Sequence, residues 1–373
     1  MSKLEKLLEG VEVESVNLGE VSELKRGKTI TKKNKKDGNI PVISGGQKPA
    51  YFNANYNRVG ETITVAGSGA YAGYIMYWNE KIFVSDAFSV IPKSSKLEIR
   101  YVYHFLLSKQ NEIYKLQKGV GVPHVYPKDL AKLQIPIPCP DNPEKSLKIQ
   151  KEIVRILDSF TELTTELTTE LTTELTARKK QYSYYREQLL TFENNKFENL
   201  ENLAENLNSK RKPIASGLRE SGDIPYYGAS GIVDYVKGYI FDGDFLLISE
   251  DGANLTARKT PIAFSISGKN WVNNHAHVLK FNTYAERRFV EYYLNSIDLT
   301  PYISGAAQPK LNKRNLNTIK IPNPSIEEQE RIVTILDKFD TLTTSISEGL
   351  PKEIDLRKKQ YEYYREKLLS FPK

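Results

Sequence analysis

The sequence predicts an α+β protein with a pseudo-twofold plan. Two similar mixed α/β domains are joined by two long helices that form an antiparallel coiled coil. Three observations predict this: the chain repeats itself once, each copy ends in a long amphipathic stretch, and the rest of each copy mixes strand-like and helical patterns. Arg178–Phe192 reads RKKQYSYYREQLLTF, and Arg357–Phe371 reads RKKQYEYYREKLLSF. Upstream, Ile153–Leu163 (IVRILDSFTEL) matches Ile332–Leu342 (IVTILDKFDTL). Both matches keep the same separation of 179 positions, so the segments between them have matched length. That period is too long for a solenoid unit and indicates domain duplication.

The globular parts align as well. Gly38-Asn39-Ile40-Pro41 matches Gly222-Asp223-Ile224-Pro225, and Gly60 and Gly69 fall opposite Gly243 and Gly252. Ser85–Val90 faces Asn273–Val278, Tyr101–Ser108 faces Phe289–Ser296, and Leu130–Pro138 faces Leu316–Pro324. The framework is kept while the residues between it differ, which suggests two different ligands of one kind. Thr62–Ala66, Lys81–Ser85 and Phe245–Ser249 are short β-branched or apolar runs bounded by Gly, Asn and Asp, the pattern of strands. Ile99–Lys109 and Arg287–Asn295 have helical spacing of apolar residues. The IPIP and IPNP segments are unfit for a helix or a central strand. They read as exits from each domain into its long helix.

The first long helix is expected to start near Pro143, behind Asn142. The second is expected at Ser325, with Glu328 completing a capping box. Apolar residues recur at Ile153, Ile156, Leu157, Phe160, Leu163, Leu167, Leu171, Leu175, Tyr182, Tyr185 and Leu189, one continuous stripe. The partner stripe starts at Ile332, Ile335, Leu336 and Phe339. Gly349-Leu350-Pro351 should break or kink the second helix. Thr161–Thr176 is four tandem copies of Thr-Glu-Leu-Thr. Each copy adds about 6 Å to a helix, so the tract reads as a ruler.

At 373 residues the chain has room for two cores. The lone Cys139 excludes an internal disulfide and a cysteine-rich zinc site, and suits a reducing cytosol. The opening MSKLEKLLEG lacks the apolar core of a signal peptide, and no apolar run is long enough to span a bilayer. A cytoplasmic location away from membranes is expected. The formal net charge of +7 has the sign expected of a protein that meets phosphate.

Two variable globular parts, each followed by a near-identical helix, resemble the specificity subunit of type I restriction-modification systems. The residues that carry the resemblance are the paired RKKQYxYYRE and IVxILDxF segments, the four-residue repeat, and the IPIP and IPNP exits. They run across essentially the whole chain. The resemblance implies a non-catalytic DNA-recognition protein. Residues 1–142 and 193–324 would be target recognition domains, each reading half of a split site on double-stranded DNA. Residues 143–192 and 325–373 would be spacer helices. Two modification (methyltransferase) subunits would bind alongside, and restriction subunits could join. No cofactor is expected on this chain, with S-adenosylmethionine and ATP on partner subunits only. Consistent with that division, the sequence has no Walker-type loop and no Asn-Pro-Pro-aromatic motif. A coiled-coil scaffold that ignores DNA and an autonomous DNA-modifying enzyme are the rival readings.

Individual motifs fit two readings each. Lys25, Arg26, Lys28, Lys32, Lys33, Lys35 and Lys36 cluster early in the first domain, with Lys210, Arg211, Lys212 and Arg219 as counterparts. They read as phosphate contacts or as a solvated loop. The Gly67-Ser68-Gly69 and Glu250-Asp251-Gly252 segments read better as strand-end loops than as cofactor cradles, since the second copy is acidic, and Ser68 reads either as a base contact or as an ordinary loop residue. Lys118–Lys128 and Ser304–Arg314 are matched Gly/Pro loops with different residues. Lys118, His124, Lys128, Gln308, Lys310, Lys313 and Arg314 are candidate contacts to two distinct half-sites, against ordinary loop divergence. His275 and His277 alternate as metal ligands would, but their counterparts Ala87 and Ser89 are not ligands. Arg178, Tyr184, Tyr185, Arg186, Arg357, Tyr363, Tyr364 and Arg365 form Tyr- and Arg-rich helix ends. They suit either a partner interface or packing against the chain's own domains.

Overall fold

The computed structural model describes residues 9–30, 36–192, 196–305, 308–345 and 347–371. The chain divides into two units: Met1–Leu171 with Ile354–Lys373, and Thr172–Glu353. Each is built on the same topology.

In the first unit, Val13–Asn17 and Gln134–Pro138 form a two-stranded antiparallel ribbon. A four-stranded antiparallel sheet has the order Ser22–Arg26, Ala87–Pro92, Glu61–Ala66, Ile75–Asn79. A three-stranded sheet sets Ile40–Ile43 between Tyr51–Asn53 and Phe83–Val84, the last pair parallel. In the second unit the ribbon is Phe197–Asn199 with Lys320–Pro322. The main sheet runs Glu205–Asn206, Ala276–Lys280, Phe245–Ser249, Ala263–Ile266. The smaller sheet again holds one parallel pair, Ser221–Gly228 with Lys269–Val272. One parallel pair at the same place in two otherwise antiparallel frameworks is the duplication expressed as hydrogen bonding.

Repeated residues earn their positions. A Cβ on Gly38 would lie 2.5 Å from the Ala54 Cα, and one on Gly222 would lie 2.5 Å from the Lys237 Cα. Both glycines let a neighbouring strand pass. As expected, the exits form neither a helix nor a central strand: IPIP lies in the first two-stranded ribbon, and IPNP enters the second only with Ile321 and Pro322. Pro136 and Pro138 are two apart, so their missing N–H groups share one side. The Cys139 N–H continues the ladder by donating to the Glu12 carbonyl (2.7 Å), which puts the prolines on the outward side. Tyr101 donates to the outward carbonyl of Pro136 (2.7 Å). The Lys81–Ser85 strand shrinks to Phe83–Val84, and the helices Ile99–Ser108 and Tyr284–Ser296 match expectation closely.

Pro143–Leu189 is one helix of 47 residues. Asn142 caps it by accepting from the Lys145 N–H (3.0 Å). The second helical segment is Ile326–Thr344. There the Ser325 hydroxyl accepts from the Glu328 N–H (3.4 Å), but Glu328 turns to Arg331 (2.7 Å) instead of completing the box. The helix breaks before Gly349-Leu350-Pro351 and resumes as Gly349–Ser370. Gly349 has φ +75°, and Pro351 sits in the new first turn, where its missing N–H costs nothing.

The two cores explain the repeated helix sequences. Ile149, Ile153 and Leu157 share the first core with Leu18, Ile63, Val90 and Tyr101, and Leu368 and Leu369 join it. In the second core Ile332, Val333 and Leu336 pack with Leu246, Ile248 and Phe289, and Leu190 joins them. Each domain is therefore walled by the start of one long helix and by the LL end of the other. Within each unit the two segments run antiparallel. Phe160 stacks on Tyr364 (5.2 Å between centroids) while Leu157 meets the 368–369 end. Tyr182 and Tyr185 stack on Phe339 (6.0 and 5.7 Å) while Leu190 meets the 332–336 start.

The continuous apolar seam is corrected in part. Ile332 and Leu336 are globular core, Ile335 is half-buried, and Leu163 is 59 % exposed. Leu167, Leu171 and Leu175 are half-buried. A leucine every fourth residue drifts about 40° per step around the helix, so four cannot face one seam. The threonines add local bonds: Thr161, Thr165 and Thr169 each donate to the carbonyl four residues back (2.7 Å).

Candidate nucleic-acid interface

In the first unit, the strand Glu61–Ala66 runs into Gly67-Ser68-Gly69, and the Gly/Pro loop folds against that turn. The Gly69 N–H donates to the Pro123 carbonyl (3.0 Å) and the Val125 N–H to the Gly67 carbonyl (3.1 Å). Lys118 and His124 exchange backbone bonds of 2.9 and 2.8 Å. The second unit repeats all four. The Gly252 N–H donates to the Pro309 carbonyl (3.2 Å), the Leu311 N–H to the Glu250 carbonyl (2.7 Å), and Ser304 and Lys310 exchange bonds of 2.8 Å. Gly69 and Gly252 both have positive φ, +86° and +104°, as this turn demands.

One backbone frame thus presents Ser68, His124 and Lys118 in one unit and Asp251, Lys310 and Ser304 in the other. In the first, Ser68 donates to Asp86, and His124 lies near-parallel to Tyr126 (6.0 Å, 16°). Arg26, Asp86, His124 and Tyr126 line a cavity of about 190 Å³. Lys118 reaches Asp129 (2.7 Å), and Lys128 lies 5.9 Å from the Tyr126 ring.

The second unit is more charged. Glu250, barely exposed, takes Arg211 (2.6 Å) and Lys310 (3.3 Å). Burial alone would raise the Glu250 carboxyl, but the Arg211 and Lys310 cations outweigh it and hold it below the usual range. Asp251 pairs with His275 (2.9 Å). His277 is fully buried: its Nε2–H donates to the Leu311 carbonyl (2.7 Å) and its Nδ1 accepts from Asn208 (2.7 Å). Burial keeps that ring neutral to lower pH than usual.

The remaining candidates are placed as follows. Lys25 and Arg26 are exposed on the first strand of the main sheet, and Lys28 and Lys36 are exposed nearby in sequence. Lys32, Lys33 and Lys35 lie outside the described residues. Lys210, Lys212, Gln308, Lys313 and Arg314 are exposed. Arg211 and Arg219 are committed internally, Arg219 to Asp234 (3.0 Å) and over the Tyr226 ring (4.5 Å). At the helix ends, Tyr184 and Tyr363, equivalent residues, are 57 % and 59 % exposed. Tyr185 and Tyr364 stack on Phe339 and Phe160, and Arg365 lies over Tyr361 (5.2 Å). Arg186 lies over Tyr182 (5.5 Å), and Arg178 pairs with Glu174 (2.7 Å). Arg357 donates to Gln360 (3.3 Å). Sequence reasoning missed Asp86 and Tyr126. Their signal was position alone, since Tyr126 lies inside the matched loop Lys118–Lys128 and Asp86 inside the matched segment Ser85–Val90.

A doubled reading frame with divergent polar tips agrees with the comparisons. The family model described as type I restriction modification DNA specificity domain matches residues 10–177 and again 193–356. The chain belongs to that family. It is 35 % identical to the Type I restriction enzyme EcoR124I/EcoR124II specificity subunit of Escherichia coli, over all of this chain and 98 % of the relative. It is 36 % identical to a putative type I restriction enzyme specificity subunit of Haemophilus influenzae, over 99 % and 98 %. The fold matches the crystal structure of a type I restriction-modification S subunit from M. genitalium, with TM-score 0.54, 19 % identity and full coverage of both chains. A chain from a study of complex assembly in the type I R-M system matches at TM-score 0.57 and 17 % identity, over 96 % and 97 %. No described helix is long and apolar enough to cross a membrane.

Proposed function

We propose that the chain is the non-catalytic DNA-recognition subunit of a type I restriction-modification enzyme. Each globular unit reads one half of a bipartite double-stranded site, and the two helical segments set the number of unread base pairs between the halves. The observation that carries this reading is the four-bond backbone frame present in both units with different side chains at its tips. Identical frames dock alike on a duplex, while different tips meet different bases. Lys25, Arg26, Lys28, Lys36, Lys210 and Lys212 supply phosphate contacts beside the tips. Arg211 supports the second frame from within through Glu250 instead, and Arg219 is held by Asp234 and Tyr226 of the smaller sheet.

Two methyltransferase subunits dock on the helix ends through exposed Tyr184 and Tyr363 and the arginines beside them, and restriction subunits join that assembly. The methyl donor, ATP and the adenine chemistry stay with those partners. Mapping methylated adenines in a genome that expresses the chain with its methyltransferase subunits tests the reading. A two-part motif with a fixed gap is expected, and a continuous motif or none would overturn it.

A further inference from the structure

Each unit carries a polar contact at the same place that the function above leaves unexplained. In the first unit Asp158, on the long helix, accepts from Arg100 and from the His104 Nε2–H (2.7 Å), both on the helix Ile99–Ser108. In the second unit Asp337 accepts from Arg288 Nη2 (2.8 Å), Arg288 Nε (3.1 Å) and the Tyr292 hydroxyl (2.6 Å), both residues on the helix Tyr284–Ser296. Tyr284 adds a bond to the other Asp337 oxygen (2.8 Å). Asp158 and Asp337 are the aspartates of the two ILDxF segments, and Arg100 and Arg288 occupy matched positions one residue before the aligned segments Tyr101–Ser108 and Phe289–Ser296.

We infer that Asp158 and Asp337 are positioning residues, twin latches that fix the rotation of each reading unit on its own rod and so limit the spacer to one length. This rests on the proposed DNA-recognition function. Burial of Ile153, Leu157, Leu368 and Leu369, or of Ile332, Leu336 and Leu190, holds a unit on its helical segments, but apolar packing is not directional. Charge-assisted bonds from an Arg and a second donor to one carboxylate are directional. Direction is what spacing needs. One base pair moves a half-site by about 3.4 Å and turns it by about 35° around the duplex. A unit free to swing on its rod would accept neighbouring spacings, and a latched one would not.

The test uses the full chain with its methyltransferase subunits and duplexes that carry the two half-sites at the wild-type gap and at one base pair more or less. Asp158→Ala and Asp337→Ala should leave both half-site sequences unchanged and reduce discrimination against the wrong gaps at least tenfold. Asp158→Asn, which keeps an acceptor for His104, should fall between wild type and Asp158→Ala, and it carries the test should the alanine variant fail to fold. Variants that fold, methylate the same half-sites and keep wild-type gap discrimination would overturn the latch alone. A wild-type chain with no two-part site would overturn the functional reading and the latch with it.

Discussion

Among the buried side chains, His104 makes a clear titration argument. It is fully buried, its Nε2–H goes to Asp158, and its Nδ1 has no partner among the described residues. Burial lowers it from 6.5 to about 4, because Arg100 already balances Asp158 and a second ring N–H would find no acceptor. With the folded value depressed, the unfolded chain binds the proton more readily. The contribution of His104 to stability should therefore be fully present above pH 6.5 and fall by about 3 kcal/mol as pH drops to about 4. Denaturant unfolding across that window checks it, and His104→Tyr, the residue the second unit uses at Tyr292, should flatten the slope. Arg211→Ala should cost about 3 kcal/mol by leaving Glu250 buried beside Lys310 alone. Adding Glu250→Gln should restore part of that loss in thermal melts. Neither histidine environment was legible in the sequence. His277 and His104 look alike in a string of letters, and only the packing of distant strands and helices shows which ring nitrogen is occupied.

For the helical elements, caps and breaks were legible because they depend on neighbours a few residues apart. Asn142, Ser325 and the Gly-Leu-Pro stop act as expected, apart from Glu328, which a nearer arginine captures. Gly349→Ala should destabilise the second unit by about 1–3 kcal/mol, since its φ is +75° and the new Cβ would lie 2.5 Å from the Thr341 carbonyl oxygen. Thermal melts should show the loss. The Thr-Glu-Leu-Thr tract lies within one unbroken helix, so each copy changes length without changing either core. Deleting one copy shortens that helix by about 6 Å. Methylome sequencing should then find the gap between half-sites shortened by about one to two base pairs, with both half-sites intact. The apolar stripe was the less legible part. Periodicity shows that a face is apolar, not whether a globular core or another helix covers it, and here Ile332 and Leu336 went to the core.

In the whole molecule, duplication predicts that the halves are exchangeable. Replacing Pro225–Lys320 with the equivalent part of another family member should change one half-site and leave the other and the gap alone, which methylation mapping would show. A change in both half-sites would contradict modular reading. The repeat, the exits, the matched loops and the family could all be read from the sequence, because duplication writes itself as like residues at a constant offset. Tertiary structure alone decided which segments meet: that each core is walled by the LL end of the other half's helix, that the turns at Gly69 and Gly252 clasp the loops at Pro123 and Pro309, and that Asp158 and Asp337 each face an arginine more than forty residues away. Local pattern follows from backbone geometry and the nearest neighbours. Long-range pairing depends on which surfaces bury together, and that is a property of the folded chain.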